Sequence, residues 1–206
     1  MENMILGKLK EATKEQHKNL EGTVNVMDKM FSLDNYKDLL AKFYRFYSAI
    51  EPELARLDWS AVKHNFDDRL KLPKLEKDLE NLGILDETKR KFSAWDSLPS
   101  LDSYEKAFGA LYVIEGATLG GQVIKRHLEQ HLKLNPDNGG EFFSGYGEKT
   151  GKMWKEFCMT TTSFAAKHGD DDTIVQSARD TFDSFRKCFE ESANIEGEAA
   201  GASPSS

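Results

Sequence analysis

Ala107-Phe108-Gly109-Ala110-Leu111-Tyr112-Val113-Ile114-Glu115-Gly116-Ala117-Thr118-Leu119-Gly120-Gly121-Gln122-Val123-Ile124 decides the fold of this 206-residue chain. Its apolar residues follow helical spacing, and it reads as the centre of a long helix that opens at Ser100-Leu101-Asp102-Ser103 and runs to about Leu132. Yet Gly109, Gly116, Gly120 and Gly121 sit inside it. Each interior glycine costs a helix about 1 kcal/mol relative to alanine, so three in six residues call for an offsetting gain. Gly116 and Gly120 stand four apart and bare one face. That pattern fits either close packing against another helix or a flat, bulky ligand laid against the backbone; it also permits a kink.

Outward from this stretch the helical period continues. Met4 to Leu20 is rich in Lys, Glu, Ala and Leu and reads as one helix. Behind Asp34, a candidate cap, Tyr36, Leu39, Leu40, Phe43, Tyr44, Phe46 and Tyr47 recur at three- and four-residue spacing. Pro52 is expected to interrupt or kink that helix. Asp67 to Asn81 reads as another, with Leu70, Leu75, Leu79 and Leu82 inward, Pro73 near its start and Gly83 as its stop. Asn135-Pro136-Asp137-Asn138-Gly139-Gly140 predicts a turn and Lys149 to His168 a helix. Gly169 and three aspartates then introduce a last helix, Thr173 to Ser192. No alternating segment with hairpin turns is found. The expected architecture is one all-α domain of about seven or eight helices over residues 1–194. A disordered tail, 195–206, is expected to follow.

Lys and Arg number 28 against 35 Asp and Glu, a formal charge of −7. A general phosphate-backbone binder carries a basic face, so no nucleic-acid partner is expected. With 39% hydrophobic and 31% charged residues the chain reads as soluble and globular. A chain of this size buries roughly 70% of its unfolded surface, enough for a core without staples. Cys158 and Cys188, thirty positions apart with no CxxC spacing, point to a reducing cytoplasm rather than a disulfide scaffold or zinc site. Met1 to Lys10 lacks the apolar core of a secretory signal, and with no run of 18 apolar residues no membrane partner is expected.

Lys10-Glu11-Ala12-Thr13-Lys14-Glu15-Gln16-His17-Lys18-Asn19-Leu20-Glu21 carries the second informative pattern. Glu21 lies one turn after His17 on the same face, where its carboxylate can take the Nδ1 proton and strengthen Nε2 as a metal ligand. Lys10 precedes His17 by seven residues, on the same side and about 10 Å along the axis, with Lys14 between them. An anionic ligand whose metal binds His17 would have its carboxylates within reach of both lysines. An ordinary surface histidine in a charged helix fits the same residues. Two other patterns lead nowhere. Gly145 to Lys152 lacks the spacing and the closing Ser or Thr of a P-loop, and Leu128 stands where a zincin needs glutamate after His127.

Together the two stretches resemble the haem oxygenase family. Lys10-Glu11-Ala12-Thr13-Lys14-Glu15-x-His17 with Glu21 is similar to its proximal-histidine helix, and Gly116-x-x-Leu119-Gly120-Gly121-Gln122 to its glycine-rich distal helix. The resemblance implies haem b held between a proximal and a kinked distal helix, with His17 as the metal ligand. Gly116, Gly120 and Gly121 would let haem and O2 sit against the distal backbone. Lys10, Lys14 and Arg179 would meet the haem propionates, with Arg186 a second candidate for the last of these. Ala117 stands where mammalian-type members carry an aspartate that orders water beside O2. The Gly-Ala/Ser-x-Leu-Gly pattern instead resembles the bacterial branch, including members that supply biliverdin to phytochromes. Thr118, Gln122 or backbone-held water are then the candidates for moving protons. The implied reaction is cleavage of haem to biliverdin, Fe2+ and CO, with electrons from a ferredoxin or a flavin reductase and a bilin-accepting phytochrome as candidate recipient. A non-catalytic haem carrier with the same pocket is the alternative.

Overall fold

The structure, a computed structural model, describes residues 4–24 and 32–201. Among these residues there are eight α-helices and no strand. They are α1 Met4–Ala12, α2 Lys14–Val24, α3 Leu33–Leu54, α4 Leu72–Asn81, α5 Leu85–Lys91, α6 Tyr104–His127, α7 Thr150–His168 and α8 Asp171–Gly201.

Several boundaries differ from the sequence pattern, each for a local reason. The first helix divides at Thr13, whose hydroxyl donates back to the Leu9 carbonyl at 2.7 Å, a bond that competes with the helical ladder. Ser32, not Asp34, caps α3, its Oγ accepting from the Asn35 amide at 3.2 Å; Asp34 sits in the first turn, where its charge still favours the helix dipole. Pro52 does not interrupt α3, which continues to Leu54. Asp67–Arg69 forms a separate 3-10 turn, and Pro73 lies in the first turn of α4, where its missing N–H costs nothing. α5 has no counterpart in the sequence reading. α8 continues past Ser192 to Gly201, through the first part of the expected tail, while 202–206 lie outside the described residues.

The core explains why these helices dock as they do. Tyr36, Leu39, Leu40, Phe43, Phe46, Tyr47 and Ile50 of α3 are buried in the core, where Phe43, Phe46 and Tyr47 meet Phe185 of α8 and Phe43 also meets Phe189. Phe46 and Phe185 stack with ring centroids 4.0 Å apart. α6 and α8 run along one another, and Gly109 sets their separation: a Cβ there would stand 2.3 Å from the Ile174 carbonyl oxygen. By length and hydropathy Tyr104–Leu132 would also pass as a membrane span, but much of it is core. Asp78 of α4 reaches across to accept the amides of Glu141 (2.9 Å) and Phe142 (2.8 Å), fixing the turn that carries Phe142 and Phe143.

His64 is buried among the rings of Trp59, Phe108 and Phe157, and its Nε2 finds no partner among the described residues. Burial, helped by the Arg69 charge, pushes its pKa down from 6.5 to about 4. The unfolded chain therefore binds the proton more tightly, and His64 costs stability as pH falls from 6.5 to 4, about 3 kcal/mol over the window. Asp78, pushed up to about 6 by burial, acts in the opposite sense over nearly the same range. The expected result is thus a difference between two proteins. Relative to His64→Phe, wild type should lose about 3 kcal/mol between pH 6.5 and 4 in denaturant titrations; parallel profiles would contradict the assignment.

Candidate active site

A cavity of about 600 Å3 opens between α2 and α6, within the range of small-molecule sites. On one wall α2 presents His17, Leu20, Glu21 and Val24, backed by Phe182 of α8. Facing it is the α6 segment from Tyr112 to Ile124, including Gly116, Ala117, Gly120 and Gly121. Phe43, Tyr47, Phe142 and Phe143 close the inner end. The lining is mostly apolar.

His17 keeps 58% of its side chain exposed, its ring edge-on to Phe182 at 5.6 Å. Glu21 Oε2 lies 3.5 Å from His17 Nδ1, so the pair predicted from the one-turn spacing is in place and Nε2 is left available. Lys10 and Lys14 are exposed and are not among the residues that line the cavity, so the structure does not bring these two expected site residues to its walls. Arg179 is also exposed, but α8 places it beside α2: with the Gln16 amide oriented by its neighbours, Gln16 donates to Ala12 O at 3.3 Å and accepts from Arg179 Nε at 3.2 Å. Arg186 pairs instead with Glu190 at 2.6 Å.

The glycines divide into two kinds. A Cβ on Gly121 would lie 2.7 Å from the Phe143 carbonyl oxygen, so that glycine, like Gly109, allows close packing. A Cβ on Gly120 would meet nothing within 4 Å, and one on Gly116 only the Trp154 ring at 3.8 Å. Bare backbone therefore faces the cavity at Gly116 and Gly120, whereas Gly109 and Gly121 serve close packing. Thr118 and Gln122 are occupied: the Thr118 hydroxyl donates to Glu115 O at 2.6 Å, and the Gln122 amide lies 3.4 Å from Ser144 O and Thr150 Oγ1.

Sequence reasoning missed a buried charged cluster behind α6. Arg69 Nη1 donates to Glu115 Oε2 at 2.5 Å, while the Lys71 ammonium and the Tyr146 hydroxyl (2.7 Å) both donate to Glu115 Oε1. Burial works to raise the Glu115 pKa, but the two cations outweigh it and hold the carboxyl below its ordinary value. Glu51 accepts the Lys71 and Leu72 amides at 2.7 and 3.0 Å. The only sequence signal was a glutamate inside an apolar helix, directly before Gly116.

These walls define a helical protein with a largely apolar cavity between a histidine-bearing helix and a helix whose backbone is bare at two glycines. A heme oxygenase family model matches residues 3–191, and the chain belongs to that family. Among solved structures, the NO- and CO-bound heme oxygenase of Neisseria meningitidis is similar at 20% identity, TM-score 0.77, covering 92% of each chain. Heme oxygenase from Leptospira interrogans is 20% identical, TM-score 0.67, with 91% of this chain and 98% of that one covered. Heme oxygenase-1 from the cyanobacterium Synechocystis, in complex with heme, is 19% identical, TM-score 0.66, covering 95% of this chain and 96% of that one. No curated protein matches by sequence. The family consists of O2-dependent oxidoreductases that degrade haem to biliverdin, and that is the activity of this chain.

The glycine assignment predicts opposite effects for neighbouring substitutions. Gly120→Ala is expected to raise apo-protein stability by up to ~1 kcal/mol, because an exposed helical glycine is relieved. It should nevertheless weaken haem binding, since the methyl group enters the cavity. Gly121→Ala is expected to destabilise the apo-protein by about 1–3 kcal/mol through overpacking against Phe143. Thermal denaturation of the apo-proteins and Soret titrations check both; equal stability effects would contradict the division.

Proposed function

We propose that His17 would bind the iron of haem b through Nε2, with Glu21 holding the imidazole in the tautomer that leaves Nε2 free. The observation that carries this reading is one cavity that has His17 on one wall and the open backbone of Gly120 on the other. The apolar walls bind the macrocycle and exclude water. Lys10, Lys14 and Arg179, exposed on α1, α2 and α8, would hold the two propionates and so orient the macrocycle in the cavity. Arg179 supports this role through its contact with Gln16, the residue beside His17. When bound, haem supplies the O2 chemistry and is itself opened to biliverdin with loss of Fe2+ and CO.

Ala117, at the cavity wall, supports placement in the bacterial branch, with biliverdin passed to a phytochrome-type acceptor and electrons taken from a ferredoxin or flavin reductase in the cytoplasm. Haem titration into the apo-protein should give a Soret shift. Ascorbate or a ferredoxin system should then bleach the band and yield bile pigment. A stable Soret band under reductant would favour a haem carrier instead, and no shift at all would remove haem from the site.

A further inference from the structure

The distal wall has no side-chain acid at Ala117, and the hydroxyl of Thr118 and amide of Gln122 are committed to Glu115 O and to Ser144 and Thr150. Lys71 is different. It is 4% exposed, and among the described residues it is the only lysine or arginine lining the cavity. Its backbone is clamped by Glu51, and its ammonium is held against α6 by Glu115, the residue before Gly116. An ammonium carries three donors. Glu115 Oε1 accepts one; the ring of Tyr146 lies 5.5 Å away, and no other hydrogen-bond partner is found for Nζ among the described residues. Glu115 in turn also accepts from Arg69 and Tyr146. The cluster therefore mounts Lys71 in the cavity wall with N–H groups beyond the one Glu115 accepts; burial pushes its pKa down and the Glu115 carboxylate opposes that shift.

We propose that Lys71 is the distal hydrogen-bond donor of this haem oxygenase: it holds the small ligand or ordered water lying over the distal face, in place of the carboxylate absent at position 117. The proposal rests on haem occupying the cavity. A fixed cation beside a site where negative charge develops stabilises that charge without reorganisation, and does so more strongly in a dry, low-dielectric pocket than in water. Tyr47, buried at the inner end of the same cavity, provides a neutral phenol for comparison.

The test uses fluoride binding to the ferric haem complex and the C–O stretch of the ferrous CO complex, neither of which requires turnover. Lys71→Met is expected to weaken fluoride about tenfold or more, the worth of a charged hydrogen bond, and to raise the C–O stretch. Lys71→Arg should retain most of both properties. Lys71→Gln, which keeps a donor for Glu115 without the charge, serves the same comparison should methionine cost the fold. A Soret shift on haem binding with fluoride affinity and C–O stretch unchanged in the uncharged variants would overturn the role of Lys71 alone. No Soret shift in the wild type would overturn it together with the haem reading.

Discussion

Replacing His17 by alanine is expected to abolish bile-pigment formation while leaving haem binding measurable. The two effects separate because they draw on different parts of the site. On the proposed reading, affinity would come mainly from burying the macrocycle between α2 and α6, at about 25 cal/mol per Å2 of apolar surface, and from cations at the solvent side. Those contributions do not involve the imidazole. Losing one metal bond should then cost roughly two powers of ten in Kd, or a few kcal/mol. Turnover, by contrast, needs a neutral nitrogen ligand on one face so that O2 binds on the other. The measurements are a Soret titration, the ligand-field spectrum of the ferric complex, and pigment yield with ascorbate. Normal turnover in His17→Ala with a histidine-ligated spectrum would rule out this ligand. Glu21→Gln gives a graded control: the pair at 3.5 Å orients the ring without binding metal, so activity should fall but persist.

Glu115→Leu should produce the largest loss of stability of any single change considered, about 3–5 kcal/mol. Glu115 is buried and accepts from Arg69, Lys71 and Tyr146 together. Removing the carboxylate strands two buried cations, one of which faces the cavity. In a chain of this size such a loss lowers Tm by roughly 10 °C. Converting the whole group in Arg69→Met/Lys71→Met/Glu115→Leu should recover much of it, because an apolar substitute carries no desolvation cost. Differential scanning calorimetry on the apo-proteins decides the matter. A loss below about 1 kcal/mol for Glu115→Leu would mean the cluster is solvated and contributes little.

Much of the architecture was legible because helical periodicity is a local property. Apolar spacing along α3 and α6, the turn at 135–140 and the left-handed Gly169 after α7 (φ 72°) are each set within a few residues. Where local chemistry offered two answers, the pattern alone erred. Asp34 and Ser32 both suit a cap, and only the extended backbone of Ser32 presents an oxygen to the Asn35 amide. Thr13 is compatible with a continuous helix until its hydroxyl bonds Leu9.

The site shows the same division. His17 with Glu21, and the glycines of α6, could be named from the chain because each relation spans one or two helical turns. Which glycine bares backbone to the cavity and which lets a neighbour approach could not, because Phe143 and Ile174 are brought to Gly121 and Gly109 only by docking. Lys71 and Glu115, 44 residues apart, were likewise unreadable as a pair. By itself the sequence determined an all-α chain with a histidine helix, a glycine helix and their family. Tertiary structure alone decided where the buried charges meet. Side chains on one helix are placed by a fixed rise and rotation per residue, whereas those on different helices are placed by how the core packs.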